Sequence, residues 1–149
     1  FDMTELIRGV LGSSAILLEQ NGITAEFAEK EPAYVWADEF KIEEVMTNYL
    51  SNAIHHADFE KKISVFYTRK EDCLRISVFN TGTPIPEEDL PNLWIKFYKV
   101  DKARTREYGG SGIGLSIVKA IMDSLHRECG VINHENGVEF WLELDINSK

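Results

Sequence analysis

The stretch from Asp38 to Ala57 constrains the fold most, because its apolar residues recur at the period of a buried helix. Steps of three and four residues, at ~100° per residue, bring them onto one stripe. Asp38 precedes the run and is predicted to cap the helix. The stripe consists of Ile42, Val45, Met46, Tyr49, Leu50, Ala53, Ile54 and Ala57.

Two asparagines, Asn48 and Asn52, lie four residues apart on the shoulder of this predicted helix. Asn52 falls ~110° from the centre of the stripe, where packing fixes the backbone but the amide oxygen stays reachable. An amide oxygen is a neutral, hard ligand that Mg²⁺ accepts when phosphates supply the negative charge. Taken alone, the pair is more typical of ordinary amides on a helix flank.

Charge and composition limit the classes of function. The 149 residues suffice for one domain with one core, and 25 acidic against 16 basic residues give a net charge of −9. Binding to nucleic acid or to an anionic membrane through the whole surface is therefore unfavourable. The sequence has no membrane-spanning apolar run and no signal peptide. We expect a cytoplasmic domain, cut from a longer protein, with Cys73 and Cys129 as free thiols.

The remaining patterns predict helices and mostly hairpin-connected strands, which indicates an α+β sandwich with one sheet face covered by helices. The other face needs a neighbouring domain or residues that tolerate solvent. Residues 81–111 lack periodicity, as expected for a lid or binding loop. The predicted elements are a helix Met3–Gln20, strands Ile23–Ala28 and Tyr34–Ala37, a hairpin of Lys62–Arg69 with Cys73–Asn80, a short helical stretch near Glu87–Trp94, a helix Ile113–Leu125 and a hairpin of Val131–Asn133 with Glu139–Ile146.

Two features of the irregular stretch favour anions. A glycine-rich run, residues 109–115, leads directly into the last helix, and free amides at a helix start attract phosphate. Five basic residues lie between Lys96 and Arg106 against one acid, which makes a local anion trap in an acidic chain. Each feature alone has a simpler interpretation: the glycine-rich run as a turn needed for packing, and the basic cluster as a solvated loop.

A third motif, from Asn80 to Ile85, closes the strand before the irregular stretch. The amide of Asn80 could accept a hydrogen bond from the N6 amino group of adenine and donate towards N1. The sequence Asn-Thr-Gly is equally typical of a turn that binds nothing.

Together these motifs resemble, in order and spacing, the four boxes of the catalytic ATP-binding domain of sensor histidine kinases. The boxes are the N box Asn48-Tyr-Leu-Ser-Asn52-Ala, the first glycine box Asn80-Thr-Gly-Thr-Pro-Ile, the F box Trp94-Ile-Lys-Phe97-Tyr98-Lys99 and the second glycine box Gly110-Ser-Gly112-Ile-Gly114-Leu115. The resemblance covers residues 1–149 as one domain. It implies the Bergerat (GHKL) fold: a mixed sheet of about five strands, covered on one face by three helices, with a long ATP lid.

The resemblance also implies roles for individual residues. Asn52 would hold Mg²⁺, Asn48 would support the metal and the phosphates, and Lys99 would reach the terminal phosphates, so that Asn48 and Lys99 serve catalysis. His55 stands where many members place a cation that contacts phosphate, and Asn80 would meet adenine. The other expected nucleotide-binding residues are Gly82, Ile85, Phe97, Tyr98, Gly110, Gly112, Gly114 and Leu115.

By this resemblance the chain binds ATP with Mg²⁺ and donates the γ-phosphate to a histidine on a dimerisation domain. That domain would pass the phosphate to a response regulator in two-component signalling, and the full-length protein would be a membrane-anchored sensor. None of the four histidines has the context of a phospho-acceptor, so autophosphorylation of this chain alone is not expected.

Three departures from the family pattern concern nucleotide binding. In the first glycine box, Asn80 replaces the usual Asp and Pro84 replaces a usual Gly. His55 replaces a permanent cation, and Gly137 lacks the Thr that often follows it. The changes at Asn80 and Pro84 leave an alternative open. The alternative is a catalytically lapsed module of the same fold that binds nucleotide or protein. The intact Asn48 and Asn52 pair favours the kinase.

Overall fold

The computed structural model describes residues 1–96 and 114–146. Within these ranges the chain forms one five-stranded mixed sheet and a layer of helices. The elements are α1 (Met3–Ser13), α2 (Ala15–Gln20), β1 (Thr24–Phe27), α3 (Glu39–His56), β2 (Lys62–Arg69), β3 (Cys73–Thr81), a 3-10 helix (Glu87–Asn92), α4 (Gly114–Ser124), β4 (Cys129–His134) and β5 (Gly137–Asp145).

The strand order is β1-β2-β3-β5-β4, with β1 parallel to β2 and every other pair antiparallel. The parallel pair requires a crossover, and α3 provides it. This arrangement confirms the predicted α+β class with a mixed five-stranded sheet.

Helix α3 is the predicted central helix. Asp38 Oδ1 accepts hydrogen bonds from the backbone N–H groups of Phe40 and Lys41 at 3.0 and 3.2 Å. Tyr49 is fully buried, and its hydroxyl donates to the Trp141 carbonyl of β5 at 2.9 Å. Seven of the eight predicted stripe residues are at most 5% exposed, whereas Ala57 ends the helix and is half-buried.

Two predictions about the N-terminal third were wrong. The first helix is broken at Ser14, where the Ser13 hydroxyl donates back to the Gly9 carbonyl at 3.0 Å, a bond that bends helices. The segment around Tyr34 forms only two isolated bridges, to Asp2 and, from Trp36, to Asp145. The two bridging partners lie far apart in the chain, at the start of α1 and at the end of β5, so the segment does not pair with one strand over several residues.

Long polar side chains cover the sheet face that the helices leave open. The Arg75 guanidinium lies 3.8 Å from the centre of the Trp141 ring. Glu143 accepts from Lys70 Nζ at 2.6 Å and from Arg75 Nε at 3.0 Å, and Arg127 pairs with Asp145 at 3.4 Å. The chain thus supplies its own solvent-tolerant cover for this face. Cys73 and Cys129 are free thiols, as predicted.

The Glu143 pairs make stability depend on pH. Burial of the Glu143 carboxyl opposes its ionisation, but hydrogen bonds from Lys70 and Arg75 outweigh burial and hold its pKa below the usual value. A carboxyl with a depressed pKa in the folded state stabilises the fold above its unfolded pKa, and this contribution is lost as the pH falls.

We therefore expect Glu143→Gln to destabilise the fold at neutral pH by about 1–3 kcal/mol, because the Lys70 and Arg75 side chains lose their charged acceptor. The difference from wild type should shrink as the pH falls below about 4, since wild-type Glu143 is then protonated too. Urea unfolding across this pH range measures it. A difference independent of pH would show that the pairs contribute no charge-dependent stability.

Candidate functional site

Helix α4 begins against Asn48, which joins the N box to the second glycine box. A Cβ placed on Gly114 would lie 3.1 Å from Asn48 Oδ1, so only glycine fits here without displacing the amide. The Asn48 Nδ2 atom donates to the Glu44 carbonyl at 3.0 Å, which turns the amide oxygen towards the start of α4. The first turn of α4 and the half-buried amide oxygen of Asn48 therefore lie next to each other.

The first glycine box contacts the C-terminal end of α3. Gly82 has a φ of +153°, and a Cβ on it would lie 2.7 Å from the His56 carbonyl oxygen. The Asp58 N–H donates to the Thr81 carbonyl at 2.8 Å, and the Thr81 hydroxyl donates to the Asp58 carbonyl at 2.8 Å. These bonds fix Asn80, the preceding residue, at the C-terminal end of α3.

Helix α3 therefore sets the distance between the two boxes. Asn48 and His56 are separated by eight residues, which at ~1.5 Å per residue places the two contacts ~12 Å apart along the axis. Asn52 lies between them on the same shoulder. The two boxes therefore lie along one side of a single helix, about two turns apart.

Asn52 is half-buried, and no residue in 1–96 or 114–146 hydrogen-bonds its amide. His55 follows at the helix end; it is largely exposed, and partial burial lowers the pKa of its imidazole. Leu115, in the first turn of α4, is half-buried against the core. The amide oxygen of Asn52 is therefore available to a ligand, because no described neighbour bonds it.

Asn80 is 2% exposed and lies in the row that pairs β3 with β5. Its Nδ2 donates to the Thr81 carbonyl at 3.1 Å, and no described residue donates to its Oδ1. With Nδ2 bonded in this way, the Oδ1 atom of Asn80 remains able to accept a hydrogen bond. Gly137 of β5 allows this close packing, because a Cβ there would clash with the Asn80 carbonyl oxygen.

Several predicted site residues lie outside the described part of the chain: Phe97, Tyr98, Lys99, Gly110 and Gly112. In the described ranges no group of three or more His, Cys, Asp or Glu residues could hold a metal ion. A divalent cation near Asn52 could take its other ligands from a bound phosphate and from water. No helix within these ranges is long and apolar enough to cross a bilayer.

The hairpin of β4 and β5 contacts the first glycine box. The sequence predicted the hairpin but not this contact. The Gly82 N–H donates to the Asn136 carbonyl at 3.0 Å. Both polar atoms of the Asn133 side chain bind the Ile85 backbone, at 3.0 and 2.7 Å. The contacts join residues about fifty positions apart, and the only local signal was a turn-forming Asn-Gly pair.

Comparison with known proteins agrees with this geometry. Residues 37–148 match the family described as histidine kinase-, DNA gyrase B- and HSP90-like ATPase. The chain belongs to this family, as a catalytic domain of the sensor histidine kinase type.

Among similar proteins, the sensor histidine kinase CusS of Escherichia coli (strain K12) is 34% identical over 128 residues, 86% of this chain and 26% of CusS. The sensor protein VanSB of Enterococcus faecalis is 33% identical over 114 residues, 76% of this chain and 26% of VanSB. The chain spans about a quarter of the length of these relatives.

A solved structure of the catalytic domain of the histidine kinase ThkA superposes with a TM-score of 0.84 at 29% identity, covering 100% of this chain and 97% of that one. The histidine kinase ThkA in complex with the response regulator protein TrrA gives a TM-score of 0.79 at 28% identity, covering 99% of this chain and 41% of that one.

We expect Gly82→Ala to destabilise the fold by about 1–3 kcal/mol, because the new Cβ meets the His56 carbonyl and the backbone angle disfavours a side chain. Gly12→Ala is the matched control: nothing lies within 4 Å of its added Cβ, and alanine favours the helix. Urea unfolding of both variants measures the difference. Equal stabilities would mean that Gly82 does not hold the box against α3.

Proposed function

We propose that residues 1–149 form one catalytic and ATP-binding domain, which binds Mg²⁺-ATP and donates the γ-phosphate to a histidine of a sensor kinase. That histidine lies on a helical dimerisation domain, and we place both domains in the cytoplasm beneath a membrane-anchored sensor. The observation that carries the proposal is the convergence of two boxes on one helix, with Asn48 against Gly114 and His56 against Gly82.

The phosphate end of the site is built from Asn48 and the start of α4. The helix start contributes backbone N–H groups and the positive end of a helix dipole, which together favour phosphate oxygens. Gly110, Gly112 and Gly114 would let the backbone approach those oxygens, and Lys99 would neutralise the terminal phosphate. Phe97 and Tyr98, from the same box as Lys99, would line the lid.

The donors present fit a magnesium ion. Asn52 offers a neutral oxygen with no described partner, and the phosphates of ATP would supply the negative charge that this ligand lacks. Bound there, Mg²⁺ would neutralise charge on the phosphates during transfer. Asn48 and Asn52, one turn apart, would orient the phosphate chain from one side.

The base end is built from Asn80, Gly82 and Ile85. With its Nδ2 held by the Thr81 carbonyl, Asn80 keeps its Oδ1 available to the adenine N6 amino group. A neutral amide accepts this bond more weakly than a carboxylate does, by about 1 kcal/mol. Binding of adenine nucleotides therefore persists in this chain with reduced affinity.

At position 48 the site carries no group that would activate water. Asn48 is a neutral amide whose nitrogen already donates to the Glu44 carbonyl, so it cannot act as a general base. ATP bound here waits for a stronger nucleophile, the imidazole of the partner histidine. The ThkA complex with a response regulator supports such a regulator as the next phosphate acceptor.

Asn52→Ala should abolish the magnesium-dependent part of ATP binding, because it removes the metal-facing oxygen. We expect calorimetry to show a loss of at least about tenfold in affinity with Mg²⁺, about 1.4 kcal/mol, and little change without it. Thr47→Ala, an exposed truncation on the same helix, is the control. Equal loss with and without Mg²⁺ would contradict the assignment of the metal to Asn52.

The kinase and the lapsed module differ in the transfer step. Mixed with a separately produced helical domain of the same kinase and labelled ATP, the wild-type chain should yield acid-labile phosphohistidine, and Asn52→Ala should not. Nucleotide binding without any phosphohistidine would favour the lapsed module.

Nucleotide affinity should depend on the charge of His55. Partial burial lowers the pKa of this imidazole, so it is mostly neutral at pH 7 and gains its charge only under acidic conditions. Between about pH 8 and about pH 6, ADP affinity of the wild type should rise more steeply than that of His55→Ala. His55→Lys should bind tightly throughout. Identical pH profiles of wild type and His55→Ala would remove His55 from the phosphate site.

A further inference from the structure

The side chain of Asn133 binds the backbone of Ile85 through both of its polar atoms. The Ile85 N–H donates to Asn133 Oδ1 at 3.0 Å, and Asn133 Nδ2 donates to the Ile85 carbonyl at 2.7 Å. The side-chain amide thus reproduces the pair of hydrogen bonds that a neighbouring strand would make with this residue. A segment outside the sheet is thereby attached to the edge strand β4.

The residues on either side of Ile85 are prolines, which limits how this segment can hydrogen-bond to the rest of the protein. Pro84 and Pro86 have no backbone N–H, so Ile85 carries the only backbone donor of the three residues. Both prolines also restrict the chain to extended conformations. Ile85 itself is half-buried against the core. One side-chain amide and one apolar contact therefore set where this short segment lies.

The strand register places Asn133 in the same row as Asn80. Asn133 pairs with Val138 of β5, and Val138 pairs with Asn80 of β3. Directly paired residues of antiparallel strands point to the same face, and two strand spacings separate the two asparagines by ~10 Å. Val138 is 4% exposed and belongs to the core, so this is the helix-covered face.

We propose that Asn133 is a positioning residue for the nucleotide: it fixes Ile85 over the row that contains Asn80, as a wall of the base pocket. This inference rests on the proposed function, because it concerns the base end of the same site. Asn133 touches no substrate in this arrangement and acts through Ile85. It also gives a reason for Pro84, which stiffens the segment that Asn133 holds.

The test compares Asn133→Ala with Asn136→Ala in the same hairpin. Asn136 is exposed and holds Gly82 through its backbone carbonyl, so loss of its side chain should leave the site intact. Calorimetry should show ADP binding weakened about tenfold in Asn133→Ala, because Ile85 then loses the contact that positions it, and unchanged in Asn136→Ala. The loss should be the same with and without Mg²⁺, unlike that of Asn52→Ala.

Asn133→Asp provides a second variant if the alanine variant unfolds. It keeps the acceptor for the Ile85 N–H but sets an oxygen against the Ile85 carbonyl, so ADP binding should again weaken. Hydrogen exchange of the Ile85 amide should accelerate in the alanine variant alone of these three, because only there is the acceptor lost.

Wild-type affinity in a folded Asn133→Ala, or a loss that appears only with Mg²⁺, would overturn the proposal. Failure of the wild-type chain to bind ADP at all would instead overturn the proposed function. In that case faster exchange of the Ile85 amide in Asn133→Ala would still report the hydrogen bonds themselves.

Discussion

Burial of one side of α3 determines where the functional groups of this domain can lie. Tyr49 ties the helix to β5 through a hydrogen bond to the Trp141 carbonyl, and the apolar stripe around it leaves the helix no freedom to rotate. The amides of Asn48 and Asn52 are consequently fixed at the margin of the core. Both glycine boxes then contact this helix, one at its middle and one at its end.

An acidic chain that binds a polyanion must rely on local features. In the proposed site the net charge of −9 would oppose ATP at long range, whereas the start of α4 and neutral amides would attract its phosphates at short range. Neutral ligands would leave the metal and the phosphates to neutralise each other. Affinity in such a site should therefore depend on the cation more than on the protein charge, with His55 as a contribution that varies with pH.

The sequence predicted α3, its cap and its buried stripe because helical periodicity is a local property. It also predicted the hairpin of β2 with β3 and the α+β class. The break at Ser14 was missed because back-bonding by Ser13 competes weakly with an amphipathic pattern. Asn133 was missed because its partner, Ile85, is distant in sequence, and the segment at Tyr34 failed as a strand because its bridging neighbours lie on two elements. Such contacts are decided only by the tertiary fold.

Side chains of Arg75, Trp141 and Glu143 cover the sheet face that the helices leave open. A sheet shielded by its own side chains needs no permanent neighbour to remain folded in water. Such a unit can detach from one surface and approach another without exposing its interior. The proposed donor of phosphate would have to meet its acceptor and then withdraw, and this independence would allow both.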